Sequence, residues 1–367
     1  MPHTRSGLDY IRAEVRQQPA IGVHQVNPDL YRLQWNENPF DFPADLKEEV
    51  LARLSKLQWS RYPLGFRAYP VIEALTKFTG LGNDQIIVGN GSSDILRVVV
   101  SSILHTGDHL VTLSPTFGGY ASQARLAGAA VHEVALDPAN GFALPVEAIL
   151  EEVARHEAKL VVICAPNNPT GTIYPYEQLR QIVTQSNAFV LIDEAYAEFT
   201  TQDLRPLLAE ADNVVLVHTL SKAFALAGVR VGYALASPEV ATQMQKLVNV
   251  FTMSTFSETA AIVALEHMDR FQPLIATLVS ERERMASALA QLPGVTVYPS
   301  GTNFLFVHLG RSGKDAHDYL RSEQNVLVAD MGMYAGYQDY LRISIGTPEE
   351  NDLVVNGLAE YFATIPI

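Results

Sequence analysis

Thr219-Leu220-Ser221-Lys222-Ala223-Phe224-Ala225-Leu226-Ala227-Gly228-Val229-Arg230 sets one lysine among small and apolar residues. One hydroxyl directly precedes the lysine, a second lies three residues before it, and an arginine lies eight residues after it. An ammonium in apolar surroundings loses solvation, so its pKa falls and the free amine becomes nucleophilic. Hydroxyls and a guanidinium are what a phosphate beside that amine needs. The pattern suits a Schiff-base lysine holding a phosphorylated aldehyde, pyridoxal phosphate. Taken alone, the stretch reads equally well as a surface loop.

Around it stands a chain of 367 residues, long enough for two domains. Hydrophobic residues make up 48% and charged residues 18%, the balance of a soluble globular enzyme. The net charge of −14 argues against nucleic acid or an anionic membrane as the main partner. A single cysteine, Cys164, ends an apolar run, which rules out an intrachain disulfide and fits the cytoplasm. Neither a signal-peptide core nor a membrane-spanning run is visible.

The first 35 residues read as an arm with one short helix near Leu8 to Val15. Beyond Asn36-Glu37-Asn38-Pro39, apolar spacing at Leu46, Val50, Leu51, Leu54 and Leu57 predicts a helix that starts near Pro43. From residue 85, strands and helices alternate. Strands are expected at 85–89, 109–113, 130–134, 159–164, 189–192, 214–217 and 231–236, with helices at 92–104, 117–126, 146–154 and 177–184 between them. Near-continuous Val, Ile and Leu in these strands argues a mostly parallel sheet covered on both faces. A long helix is expected from Pro238 to about Val250 and another over 271–292. Strands at 295–298, 304–307 and 340–345 and a helix at 316–321 then follow without strict alternation, as in an α+β unit. The expected division is an arm over 1–35, a large domain over 36–265 and a small domain over 266–367.

Open parallel sheets bind ligands beyond the carboxyl ends of their strands. Strand 85–89 runs into Gly89-Asn90-Gly91-Ser92-Ser93-Asp94 and a helix start, which is either an ordinary cap or an anion site. Strand 109–113 leads to Phe117, an aromatic that packs in a core or stacks on a planar ring. Strand 159–164 leads to Pro166-Asn167-Asn168-Pro169, a rigid loop presenting an amide. Strand 189–192 ends in Asp193-Glu194-Ala195-Tyr196, where a carboxylate is either a cap or a partner for a protonated pyridine nitrogen. Arg342 lies inside the apolar strand Tyr340–Ile345 and needs an anionic partner.

Asn-Glu-Asn-Pro at 36–39, Arg-Tyr-Pro at 61–63, Pro-Asn-Asn-Pro-Thr-Gly at 166–171, Asp-Glu-Ala-Tyr at 193–196, Ser-Lys-Ala-Phe-Ala-Leu-Ala-Gly at 221–228 and Leu-Arg-Ile-Ser-Ile-Gly at 341–346 run in one order. That order resembles the fold-type I pyridoxal-phosphate aminotransferases, most of all their histidinol-phosphate branch, over nearly the whole chain. The resemblance implies a large domain around a mostly parallel seven-stranded sheet and a smaller α+β domain from the chain ends. It implies that Lys222 forms the Schiff base and moves the proton, and that Asp193 pairs with the pyridine nitrogen. Asn168 and Tyr196 would bond the ring hydroxyl and Phe117 would stack on the ring. Gly91, Ser92, Ser93, Thr219, Ser221 and Arg230 would hold the phosphate. Tyr62 would reach the partner subunit's site in a homodimer, and Arg342 and Asn38 would meet substrate.

Two departures bear on substrate. Relatives in this branch usually carry an arginine where this chain has Ala329, and commonly Pro-Tyr where it has Pro19-Ala20. Arg12, Arg32 and Lys314 are candidates for the missing charge. The expected reaction is ping-pong transfer of an amino group from histidinol phosphate to 2-oxoglutarate. Open alternatives are an aromatic or other amino-acid aminotransferase, a decarboxylase of an amino-acid phosphate, and a non-catalytic regulator on the same fold, for which no DNA-binding module is visible. No metal site is expected: His105 and His109 have Gly107 between them, so a shared helix face is doubtful.

Overall fold

The computed structural model describes residues 6–19, 27–63 and 65–364. In chain order the strands are β1 (Tyr31–Leu33), β2 (Ile86–Gly89), β3 (His109–Ser114), β4 (Ala130–Ala135), β5 (Leu160–Cys164) and β6 (Phe189–Asp193). They continue with β7 (Val214–Thr219), β8 (Gly232–Leu235), β9 (Thr296–Val297), β10 (Phe304–His308), β11 (Val326–Asp330) and β12 (Tyr340–Ser344).

Seven strands form one sheet in the order β2-β8-β7-β6-β5-β3-β4. From β7 to β4 every pairing is parallel, and β8 runs antiparallel to both its neighbours. The parallel core follows from composition: all five residues of β5 and all six of β7 are buried, which requires cover on both faces. Alternate residues supply the two faces. Val161 and Ile163 face one apolar cluster, and Leu160, Val162 and Cys164 face another that includes the helix Ser92–Ile103. The other sheet has the order β1-β11-β12-β10-β9. It joins the two ends of the chain, because β1 pairs in parallel with β11.

The alternation expected over residues 85–236 is present, with element ends shifted by a few residues. Elsewhere the structure differs. Residues 8–15 are a 3-10 turn, Gly7–Tyr10, and a short helix, Ala13–Arg16, with no buried residue to extend either. The helix at Pro238 stops at Met244 and continues as a 3-10 turn. Several elements were not expected, strand β11 and the short helix Leu207–Glu210 among them. The helix Thr255–Glu266 is so rich in buried Ala, Val and Leu that it shows no amphipathic stripe, although Ser254 caps it by accepting from Ser257 N–H. The helix Pro348–Thr364 and the three-residue strand β1 also escaped a periodicity reading. The long helix is Met268–Leu289, and it buries Phe271, Ile275, Leu278, Arg282, Met285 and Leu289 at helical spacing. Arg282 is tolerated in that stripe because it donates to Thr302 O at 2.9 Å and pairs with Glu283 at 2.8 Å.

Candidate active site

Beyond the carboxyl ends of β5, β6 and β7 lies a cavity of about 370 Å³. Its lining includes Lys222, Asp193, Asn168, Tyr196, Phe117, Ser92, Ser93, Thr219, Ser221, Arg230 and Arg342. Residues spread over 250 positions thus meet in one place, as the strand-end argument requires.

Lys222 follows β7 by three residues, in a loop closed by Leu226 N–H donating to Leu220 O. Its Nζ donates to Trp35 O at 3.1 Å. Burial, the Arg342 guanidinium and, to a lesser degree, Arg230 bring its pKa down to about 8, against a smaller opposing pull from Glu37. The amine is therefore far more often neutral near pH 7 than an ordinary lysine.

Asp193 ends β6. Its carboxylate accepts from Tyr120 O–H at 2.7 Å and from Ala195 N–H at 3.0 Å. Burial pushes its pKa up, only partly offset by the Tyr120 bond. A buried carboxylate of this kind favours a cationic neighbour. Tyr120 itself did not emerge from the sequence. It lies three residues past Phe117, in the helix Gly119–Leu126, and both aromatics line the cavity.

One end of the cavity is built for an anion. The helix Ser92–Ile103 points its N-terminus there, with Ser92 and Ser93 in its first turn. Thr219 Oγ1 lies 2.9 Å from Ser221 Oγ and accepts from Ser221 N–H at 3.1 Å. Arg230 Nη1 lies 3.5 Å from Ser221 Oγ and donates to Ala227 O at 3.1 Å. Gly91 precedes the helix at φ +82°, and a Cβ there would strike the Arg230 guanidinium. Gly232 has the same logic: a Cβ would overlap the backbone of Gly91 and Ser92.

The other end carries Arg342. Its Nη1 donates to Asn168 Oδ1 at 2.7 Å and its Nη2 to Gln34 O at 2.5 Å. The buried Nε finds no hydrogen-bond partner among the described residues. The Tyr196 hydroxyl oxygen accepts from Asn36 Nδ2 at 2.9 Å, and Asn36 is also fixed by Ser344 and Asn303.

Two expected site residues lie elsewhere. Asn38 does not line the cavity, because its amide is spent on the Lys222 and Ala223 carbonyls at 3.1 and 3.3 Å. Asn36, two residues earlier in the same motif, lines it instead, together with Trp35 and Glu37. The segment is not a regular strand, because Asn36 stands at φ +53°, and that bend gives Asn36 and Asn38 different surroundings. Tyr62 is 76% exposed and stacks on Phe251 with centroids 4.4 Å apart, in a separate surface cavity with Trp59, Met253 and Phe256. Of the three candidate replacement cations, Arg12 donates to Leu126 O and Lys314 pairs with Asp318. Only Arg32 approaches the cavity wall, with its Nε 3.8 Å from Glu37. Pro19 is described, but Ala20 lies outside the described residues. Cys164 is buried and its thiol is pushed well up by burial, so it is a packed residue rather than a reactive one. No helix among the described residues is long and apolar enough to cross a membrane.

The donor set fits pyridoxal phosphate: a neutral-prone amine, a buried carboxylate and an anion cradle that a single added Cβ would fill. Comparison with known proteins agrees. A histidinol-phosphate aminotransferase from Thermococcus kodakarensis is 37% identical over 353 residues, covering 96% of this chain and 98% of the relative. One from Thermoanaerobacter sp. is 32% identical, covering 95% and 98%. The crystal structure of histidinol-phosphate aminotransferase from Sinorhizobium meliloti in complex with pyridoxal-5'-phosphate shares the fold, with a TM-score of 0.88 at 24% identity over 97% of this chain and 98% of that one. The family model for aminotransferase class I and II matches residues 28–358. The chain therefore belongs to that family and is an aminotransferase of the fold-type I architecture.

Proposed function

We propose that this aminotransferase uses pyridoxal phosphate to move an amino group from histidinol phosphate to 2-oxoglutarate. The observation that carries the reading is Lys222, a lysine brought to a pKa of about 8 between an anion cradle at one end of its cavity and Arg342 at the other. The donor's identity rests on the names of the relatives.

In this reading Ser92, Ser93, Ser221, Thr219, Arg230 and the Gly91 backbone hold the cofactor phosphate. Asp193, oriented by Tyr120, faces the pyridine nitrogen. Phe117 covers the ring, and Asn168 and Tyr196 reach its hydroxyl. When bound, the cofactor supplies an electron sink conjugated to the substrate's amine. Lys222 Nζ takes the proton from the substrate Cα and returns it to the carbon that becomes the new amine carbon. Arg342 turns the substrate by its carboxylate or phosphate. Tyr62 serves the partner subunit's cavity in a homodimer, which accounts for its exposure in a single chain. The division into arm (1–35), large domain (36–265) and small domain (266–367) belongs to the same proposal, supported by the two separate sheets. So does a cytoplasmic setting, in keeping with one buried thiol.

A second reading is favoured by one residue. Ala329 leaves Arg342 without a neighbouring arginine, as a donor with one carboxylate and an apolar side chain requires. The experiment is a single-turnover screen. The cofactor-loaded enzyme is mixed separately with histidinol phosphate, glutamate, phenylalanine, tyrosine and histidine, and loss of the bound-cofactor absorption is followed. Fast reaction with histidinol phosphate and glutamate supports the proposal. Reaction with aromatic amino acids and none with histidinol phosphate overturns it in favour of the second reading.

A further inference from the structure

Far from Lys222, at the other end of the parallel strands, three histidines converge. His109 is the first residue of β3, His132 lies within β4, and His156 ends the helix Val146–His156. His109 pairs in register with Ala130, so His132 is only two residues further along the neighbouring strand. The helix packs across both strands and delivers His156 to them.

His109 Nδ1 lies 2.9 Å from His132 Nε2. One potential ligand atom from each of the three imidazoles lies within 4.8 Å of the others. Two nitrogens bound at about 2.0–2.1 Å to one tetrahedral zinc ion stand roughly 3.4 Å apart, so modest side-chain movement brings all three to one ion. The rings of His132 and His156 are stacked with centroids 3.5 Å apart, and this pair must tilt open for both nitrogens to face it. A carboxylate is in place beside them: Glu152, one turn before His156, lies 3.1 Å from its Nε2. Metal-bound imidazoles characteristically have such a partner, which fixes ring orientation and raises basicity. Arg155 is held on the same carboxylate at 2.6 Å, which draws its charge toward Glu152.

We propose that His109, His132 and His156, supported by Glu152, form a binding site for a divalent transition-metal cation of the zinc class. The cation would be structural, since the site lies at the opposite end of the sheet from the catalytic lysine. It would pin β4, the edge strand of the large sheet, to β3 and to the covering helix. Edge strands are where a sheet opens and pairs wrongly, so a clamp there has a physical purpose. Among the described residues the other grouping of this kind, Glu49, Glu266 and His267, is already engaged by Arg53 and makes the natural control.

The test uses untagged, cofactor-loaded enzyme stripped with a chelator and then given zinc chloride. After desalting, elemental analysis is expected to find one zinc per chain, and Tm is expected to rise by several degrees with zinc. His132→Asn and His109→Asn should lose both effects, and Glu152→Gln should weaken zinc binding about 10–100-fold, with transamination unchanged in all three. Cobalt(II) in the wild-type protein should give the intense visible bands of a four-coordinate site, a readout that needs no variant to fold. No retained zinc, a six-coordinate cobalt spectrum, or equal zinc in His132→Asn would each overturn the site. The last result would move the ion to the Glu49 cluster or another surface histidine.

Discussion

Ala329 stands directly across from Arg342, its partner in the β11–β12 register. Side chains opposite each other on antiparallel strands share a face, with Cβ atoms about 4.5–5.5 Å apart. An arginine at 329 would therefore lie beside Arg342, two guanidiniums converging on one anion. Ala329→Arg is expected to lower KM for a phosphorylated donor about ten- to a hundredfold, the value of one charge-assisted contact of roughly 1.5–3 kcal/mol. Without an anion the two like charges should also lower Tm. An unchanged KM would mean that another cation, Arg32 first among them, already meets the phosphate.

Lys222 has consequences for activity and for stability. Lys222→Ala should cut turnover by at least about 10³-fold and remove the visible absorption of the lysine-linked cofactor. In the cofactor-free enzyme the same lysine is a liability. Its folded pKa of about 8 lies below the 10.5 of an ordinary lysine, so the unfolded chain binds the proton more tightly. Below pH 8 the penalty is present in full, about 3 kcal/mol. It is relieved as pH rises from 8 to 10.5. Cofactor-free Lys222→Met should thus be the more stable protein at pH 7, and the gap should close by about pH 10.5 in denaturant titrations. A gap independent of pH would show that burial of the ammonium is not its cause.

Tyr120→Phe removes the hydroxyl that donates to Asp193 at 2.7 Å. Losing a hydrogen bond to a charged group costs about 1.5–3 kcal/mol. The carboxylate is already pushed up by burial and would rise further, so it would pair less well with a protonated pyridine nitrogen. Turnover should fall about ten- to a hundredfold, cofactor should dissociate more readily on dialysis, and the alkaline limb of activity should be unaffected. Full activity would remove Tyr120 from the site.

Gly91→Ala combines a backbone at φ +82° with a methyl aimed at the Arg230 guanidinium. Either the turn or the arginine must move, and both shape the anion cradle. Cofactor retention after gel filtration should drop sharply while Tm of the cofactor-free protein falls by only a few degrees. Retention equal to wild type would place the phosphate elsewhere.

Much of this was legible in the chain because it is locally encoded. Runs such as Leu160–Cys164 and Val214–Val217 are apolar without interruption, and their repetition between helical segments is the pattern of doubly covered parallel strands. The clusters at strand ends named Ser92, Asn168 and Asp193 because ligands gather there in any open parallel sheet, while Lys222 stood out by its apolar, hydroxyl-flanked stretch and Arg342 as a charge inside an apolar strand. The helix Thr255–Glu266 was not legible, since its buried residues run almost continuously from Thr259 to Leu265 and leave no clear polar stripe to report its period.

What tertiary structure alone decided is which of these side chains meet. Asn36 rather than Asn38 faces the cavity, Tyr120 reaches Asp193, β1 joins β11, and Ala329 falls opposite Arg342. Three histidines from separate elements gather at the far end of the sheet. Spacing along the chain fixes the direction of a side chain only within its own helix or strand. Which partner it finds depends on strand register and on how helices dock, and those are set by burial of the whole core at once.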